Sequence, residues 1–325
     1  MRNMLRVLLA GATVLAAFSA SVCADSAYPS RPVQLVVPVP PGGAADFIAR
    51  TVGAKLGDAL GQTIVINNQG GAGGTIATRG VAKAEADGYT LLLNSITTHG
   101  IGPHLYASLP YDPVKDFVPV ILLAKLPLIM TVNTTVPARS VPEVIALAKA
   151  QPGQLAFASS GNGGAPHLSG ELFKSITGTN LLHVPYRGSG PAVIDVVAGR
   201  IAIMFDAAPA LLPHIMADKL RPLAAASAAR HPLLPEIPTF AELGYPGMDI
   251  SLWYGVAAPA GTPPAIVQRL NAELVKILAM PDIRASFGKQ GADPAGGTPE
   301  QFAAFMREES ARWGRVVREA GIKPE

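Results

Sequence analysis

The sequence is short of several things, and each shortage removes a class of function. It has one cysteine in 325 residues, Cys23, which falls in an N-terminal stretch that reads as a removable leader. The rest of the chain then has no disulfide, no thiol nucleophile and no cysteine metal ligand. Aromatic residues make up 6%, too few to favour a sugar-stacking cleft. Charged residues make up 15%, and no Lys/Arg cluster is placed to track phosphates, so nucleic acid is not an expected partner. There is no Gly-x-x-x-x-Gly-Lys-Ser/Thr run, and the Gly70–Gly74 loop has Ile76 where Gly-x-Gly-x-x-Gly needs its third glycine. No Gly-x-Ser-x-Gly elbow occurs. His99 and His104 are separated by Pro103, and His167, His183, His214 and His231 are scattered, so no metal site is expected and each histidine reads as satisfied or exposed. No cofactor is expected, and no paired-carboxylate motif supports an enzyme.

What is present begins with the leader. Arg2 and Arg6 precede the apolar run Val7 to Ala17, and Val22-Cys23-Ala24 offers a cleavage site before Asp25. The run is shorter than the ~20 apolar residues of a membrane span. Residues 1–24 are therefore expected to be a secretory signal peptide, which places the mature chain in the periplasm. A lipoprotein reading at Cys23 ranks second because bulky Val22 precedes it. Losing Arg2 and Arg6 takes the formal charge from +3 to +1.

The remaining ~300 residues exceed a usual single core, so two lobes are expected. Strands and helices alternate, as in an α/β chain with parallel sheets. Val33 to Val39 reads as a strand, followed by Pro40-Pro41-Gly42-Gly43-Ala44-Ala45-Asp46 and a helix with Ile48, Val52, Leu56 and Leu60 on one stripe. A glycine turn entering a helix exposes N–H groups and the positive dipole end, which together favour an anion. The same loop reads equally as a tight turn without a ligand. Further strands end in polar or glycine-rich residues: Leu91–Leu93 in Asn94-Ser95, Leu155–Ala158 in Ser159 to Gly164, Leu182–Tyr186 in Arg187 to Gly190, and Ile201–Phe205 in Asp206. Ligands of open parallel sheets bind beyond such carboxyl ends. Val118 to Val132, broken at Pro127, and Ile250 to Ala257 read as two crossings between lobes. Pro263 to Glu325 reads as mainly helical. Ser160 and His167 could meet at a helix N-terminus, as a capping or ligand-binding hydroxyl and a helix-surface histidine. Asp46 reads either as a cleft residue or as a first-turn acid, and Asp206 as a cleft residue.

These motifs in this order resemble the periplasmic solute-binding proteins of tripartite tricarboxylate transporters, the Bordetella uptake gene (Bug) family. The resemblance spans residues 28 to 320. It rests on Tyr28-Pro29-Ser30-Arg31-Pro32, the Pro40–Asp46 loop, Gly71-Ala72-Gly73-Gly74 with Asp87-Gly88-Tyr89-Thr90-Leu91-Leu92, Ser160 to Phe173, His183 to Gly188 and Trp253-Tyr254-Gly255-Val256. It implies a type 2 periplasmic-binding fold: lobe one from 25–126 plus 252–325, lobe two from 127–251, a two-strand hinge and a ligand cleft between the lobes. It implies a small carboxylate ligand (a di- or tricarboxylate, amino acid or aromatic acid), delivery to membrane transporter subunits, and a monomer. Carried over by position, the ligand-binding residues are Gly42, Gly43, Ala45, Asp46, Ser95, Ser160, Gly161, Asn162, His167, Tyr186 and Asp206. Many relatives have Thr, Ser or Asn at Ala45 and Asn at Ala207, so one end of the ligand is expected to be less polar here. A ligand-presenting component of a two-component signalling system is the alternative, followed by an enzyme on the same fold, for which no motif offers a nucleophile–base pair.

Overall fold

A computed structural model of the chain describes residues 28–319, so the leader and its Cys23 lie outside the described residues. Among the described residues, 31–319 belong to one compact unit. Its first strand, β1 (Val33–Val37), is buried except at Gln34, as befits a strand covered on both faces. Helix α1 (Ala44–Leu60) follows and buries Ile48, Val52, Leu56 and Leu60. Full burial of each such side chain contributes about 1.5–3 kcal/mol. The helix stops at Gly61, whose left-handed φ of 69° lets its N–H reach the Gly57 carbonyl. Strands β2 (Ile64–Asn68) and β3 (Thr90–Ser95) flank β1, both parallel to it, with α2 (Thr75–Ala82) between them in sequence. After β3 come a π-helix, Ile96–Ile101, and the short α3 (Gly102–Leu105).

The next strand, β4 (Phe117–Asn133), is 17 residues long and belongs to two sheets. Its first part pairs with β9 (Ser251–Pro259) and β10 (Asp293–Gly296), and its last part with β7 (Ile203–Ala207) and β8 (Leu220–Ala226). The strand does not break at Pro127, as its sequence suggests. Pro127 is the last residue opposite β9, and Leu128 is the first opposite β7 and β8. A residue without an N–H thus falls where the ladder changes partners, the place where a missing donor costs least. The Leu128 N–H is taken by the Ile250 carbonyl at 3.1 Å, and Ile250 in turn donates to Ala226 at 2.9 Å.

The second sheet adds β5 (Ala156–Ser159) and β6 (Leu182–Pro185), parallel to each other and, through β5, to β7. Helices α4 (Val141–Ala150), α5 (Ala165–Thr177), α6 (Ser189–Val197) and α7 (Ala208–Met216) alternate with these strands. Ser140 caps α4 by accepting the Glu143 N–H at 3.4 Å. The expected parallel sheets are therefore mixed: β1–β3 and β5–β7 run parallel, while β4, β8, β9 and β10 run antiparallel to their partners. A strand that crosses between sheets must run against at least one parallel set, because it enters each sheet from the opposite end.

Helices α8 (Pro264–Ala279), α9 (Pro281–Gly288) and α10 (Pro299–Glu319) complete the described chain. The last helix clasps the crossing strands. Trp253 of β9 meets the rings of Phe302 and Phe305 edge-on at 5.9 and 5.5 Å. The indole N–H groups of Trp253 and Trp313 both donate to Glu309 Oε2, at 3.1 and 3.2 Å. The fold is a type 2 periplasmic-binding architecture of two α/β lobes joined through β4 and the chain entering β9.

Glycine has opposite meanings at two positions. A Cβ on Gly255 would lie 2.1 Å from Phe302 Cζ and 2.8 Å from the Ile121 carbonyl, whereas one on Gly80, in α2, would meet nothing within 4 Å. Gly255→Ala is expected to destabilise by about 1–3 kcal/mol through overpacking. Gly80→Ala is expected to stabilise by about 0.5–1 kcal/mol through helix propensity. Urea midpoints moving in the same direction for both would contradict this packing.

Candidate functional site

The carboxyl ends of both parallel sets converge on the middle of β4. Ser95, ending β3, is opposite Tyr254, which is itself opposite Ala124; Asp206 and Ala207, ending β7, are opposite Ile129 and Leu128. The loops that follow β1, β5 and β6 face one another beyond these ends. A Cβ on Gly188 would lie 3.8 Å from Pro40 Cγ, and one on Gly73 would lie 3.7 Å from the Asn162 carbonyl. One on Gly163 would strike Leu105 at 2.4 Å. The absent side chains are what let the two sets of loops come this close.

The Pro40–Gly43 loop meets the start of α1 with open space before it. Gly42 has φ of 95°, which only glycine adopts without strain. Gly43 has φ of −102°, and neither glycine has a non-neighbouring atom within 4 Å of its Cβ position. The first N–H groups of α1 lack helical partners and open toward this space. Asp46 holds the loop from below. Its Oδ2 accepts the Gly42 N–H at 3.1 Å and its Oδ1 accepts from Arg50 Nε at 2.9 Å, while Arg50 also donates to Asn68. Burial pushes the Asp46 carboxyl up, but Arg50, Gly42 and Asn68 outweigh it and hold it below the usual range. Both its oxygens are committed to the protein, which matches its reading as a first-turn acid. Ala45 is buried in the first turn.

Opposite, the Ser160–Gly164 loop rests on a polar cluster. Ser159 Oγ lies 2.7 Å from His183 Nε2 and 3.2 Å from the Gly161 N–H that it accepts. His167 is buried, not on the helix surface. Its Nδ1 accepts the Gly163 N–H at 3.1 Å, and its ring stacks on His183 at 3.9 Å. Burial lowers both histidines, and the His167 ring adds to the effect on His183, which falls to about 3. Both are neutral at physiological pH, so the pair stacks without charge repulsion. Tyr186 faces its own lobe: its hydroxyl donates to Asp195 at 2.7 Å, and burial together with that carboxylate pushes it up to about 12. Gly188 N–H closes the loop on the Ser160 carbonyl at 3.0 Å. Ser160, Gly161 and Asn162 are left on the open side.

Ser95 is buried and caps the π-helix in a reciprocal box with Thr98. Asp206 is buried at the end of β7. Its Oδ1 accepts the Ala207 N–H at 2.8 Å, and its Oδ2 has no protein partner. Burial raises it to about 6, against smaller lowering by Ser189 and Ala207, and its charge in turn helps raise the buried Tyr254 phenol. Sequence alone does not point to Arg50, Tyr254 or the Ser159–His183 pair. Tyr254 has a signal in its place on a crossing strand and Arg50 in its i,i+4 spacing from Asp46, whereas Ser159 and His183 are 24 residues apart. Two cavities lie apart from these loops: about 350 Å³ beside Lys125, Trp253 and Arg312, and about 450 Å³ beside His99 and Met306.

Asp206 has a signed consequence for stability. An acid raised from 3.8 to about 6 in the folded state leaves stability unaffected below pH ~4 and reduces it progressively to pH ~6, where the cost is complete. Asp206→Asn is expected to raise the melting temperature at pH 8 by more than at pH 4.5. Equal shifts at the two pH values would show that Asp206 is not buried as an acid.

The chain is similar to known proteins over most of its length. The family model described as tripartite tricarboxylate transporter family receptor matches residues 48–322. BugT of Bordetella pertussis is 43% identical over 309 residues, covering 95% of this chain and 94% of BugT. A solved R. palustris protein with adipate superposes with a TM-score of 0.89 at 40% identity, covering 92% of this chain and all of that one. MatC from Rhodopseudomonas palustris with bound malate gives a TM-score of 0.85 at 34% identity, covering 89% of this chain and all of that one. The chain belongs to the tripartite tricarboxylate transporter receptor family.

Proposed function

We propose that this chain is a periplasmic receptor that captures a small carboxylate between its lobes and hands it to the membrane subunits of a tripartite tricarboxylate-type transporter. The observation that carries this reading is the meeting of glycine loops beyond the strand ends, Gly188 beside Pro40 and Gly73 beside Asn162, with Asp46, Ser159 and His167 bracing the loops through their backbone N–H groups. Such loops offer N–H groups, hydroxyls and room for bridging water. A carboxylate matches a donor-rich site with little net charge better than a phosphate, which draws on cations. Relatives holding adipate and malate support a dicarboxylate as the first candidate. On this reading residues 25–126 with 252–325 form one lobe and 127–251 the other, and closure about β4 and Ile250 buries the ligand. The leader at residues 1–24 accounts for export, and the receptor acts as a monomer without catalysis or cofactor.

Ligand-stripped protein is expected to melt higher with adipate or malate than with glucose or phosphate. A ligand at a hundred times its Kd stabilises the native state by about 2.7 kcal/mol. An acid panel spanning di- and tricarboxylates, amino acids and aromatic acids that shifts nothing would sink the receptor reading. Gly43→Val is expected to fold, because its φ is ordinary and the space is open, yet to place a side chain before the N–H groups and weaken the responding acid by at least about tenfold, or 1.4 kcal/mol. Unchanged affinity by calorimetry would remove this loop from the site.

A further inference from the structure

We propose that the cavity between the π-helix, the Pro113–Pro119 segment and α10 is a second small-molecule site, independent of the cleft, for a compact aromatic molecule bearing one hydroxyl. The cavity measures about 450 Å³, within the range of ligand pockets. Its walls are mostly apolar, with Phe117, Pro119, Ala303 and Met306 among them, and none of its lining residues is a cleft residue.

Its polar lining is His99, His104, Arg307 and Ser310, of which His104 and Ser310 are hydrogen-bonded to each other at 2.9 Å. His99 lines the cavity, is 2% exposed, and has no protein partner for Nε2. Its other ring nitrogen lies 2.9 Å from Thr98 Oγ1, and its ring is held edge-on to Phe117 at 4.9 Å, so it cannot turn to find another partner without breaking both contacts. A second orphan sits alongside: Asn94 is fully buried, spends its amide N–H on Met306 Sδ at 3.1 Å, and leaves Oδ1 unpartnered. Met306 lines the same cavity. A buried polar group left unpartnered costs about 1–3 kcal/mol, so the His99 nitrogen in the wall of this apolar cavity marks a place where a ligand group is welcome.

The chemistry of that group follows. Thr98 Oγ1 accepts from Ser95 N–H and has one proton, which goes either to the Ser95 carbonyl or to His99 Nδ1. In the first case His99 Nε2 is an acceptor, in the second a donor. A hydroxyl satisfies either state. Burial holds His99 far below its usual range, at about 3, so the head group it meets must be uncharged, because an ion would be desolvated against a neutral ring. An aromatic body suits the Phe117 and Met306 walls.

The test uses the mature protein with 4-ethylphenol and its isostere ethylbenzene, followed by NMR of labelled methionine methyl groups. The expected result is a saturable shift of Met306 with 4-ethylphenol and about tenfold weaker binding of ethylbenzene, the worth of one good hydrogen bond. Ala303→Trp, which fills the cavity from a half-buried helix position, is expected to abolish the shift. His99→Phe is expected to keep ethylbenzene binding and erase the preference for the phenol. No saturable Met306 shift, an unchanged shift in Ala303→Trp, or equal affinity of wild type for both probes would overturn the proposal. Dicarboxylate binding, read separately by thermal shift, is expected to survive Ala303→Trp, which keeps the two sites distinguishable.

Discussion

A strand that changes partners halfway along its length is the constraint on which the rest depends. With β4 serving both sheets, the carboxyl ends of β3 and β7 are drawn to the same few residues, Ala124 to Ile129. The loops beyond those ends then face one another without needing to be long. Pro127 marks the handover, and its missing N–H falls between two ladders instead of inside one. The same place suits bending. Hydrogen bonds at Leu128 and Ile250 and from Arg312 to the Asp249 carbonyl join the chain here, while aromatic packing of α10 on Trp253 stiffens the β9 side.

The site is built by polar side chains that do not themselves face the opening. Asp46, His167 and Ser159 each hold a backbone N–H of a glycine-containing loop, and Tyr186 is tied to Asp195. A glycine loop has high conformational entropy when free. Bonding its N–H groups to buried side chains removes much of that freedom in the folded protein before any ligand arrives, which lowers the ordering cost of binding. The apparent excess of candidate side chains thus resolves into two layers, a flexible backbone surface and a rigid polar support.

Much of this was legible in the sequence, for reasons that can be named. Apolar runs bounded by glycine located each βα unit, and the rule that ligands lie beyond strand carboxyl ends located the loops. What escaped was direction and partnership. A run such as Val118 to Val132 reads the same whether it pairs parallel or antiparallel. The π-helix at Ile96–Ile101 has no period of its own, and β10, Asp-Pro-Ala-Gly, is made of turn formers that hold strand geometry only as partners of β4. Whether Asp46 or His167 points at a ligand or at a loop depends on which N–H lies within 3.1 Å, a distance no spacing reveals.

The unpartnered buried atoms connect fold to function more directly than the satisfied ones do. Among the described residues these are Asn94 Oδ1, His99 Nε2, Asp206 Oδ2 and His231 Nε2. An apolar replacement of similar shape would relieve the cost of each, so their positions carry information. Asp206 lies at the end of β7, where burial makes it a weaker acid and its charge, when present, acts on the buried Tyr254 phenol, a polarity opposite to that of the backbone N–H groups in the loops. His99 and Asn94 adjoin the cavity beside α10, and His231 lines the cavity behind the crossing strands. If the proposed receptor binds its ligand between these loops, an acid group is favoured at the N–H groups and a hydroxyl, amine or protonated acid at Asp206. On the proposed function, that polarity, more than the number of contacts, distinguishes the two ends of a small carboxylate.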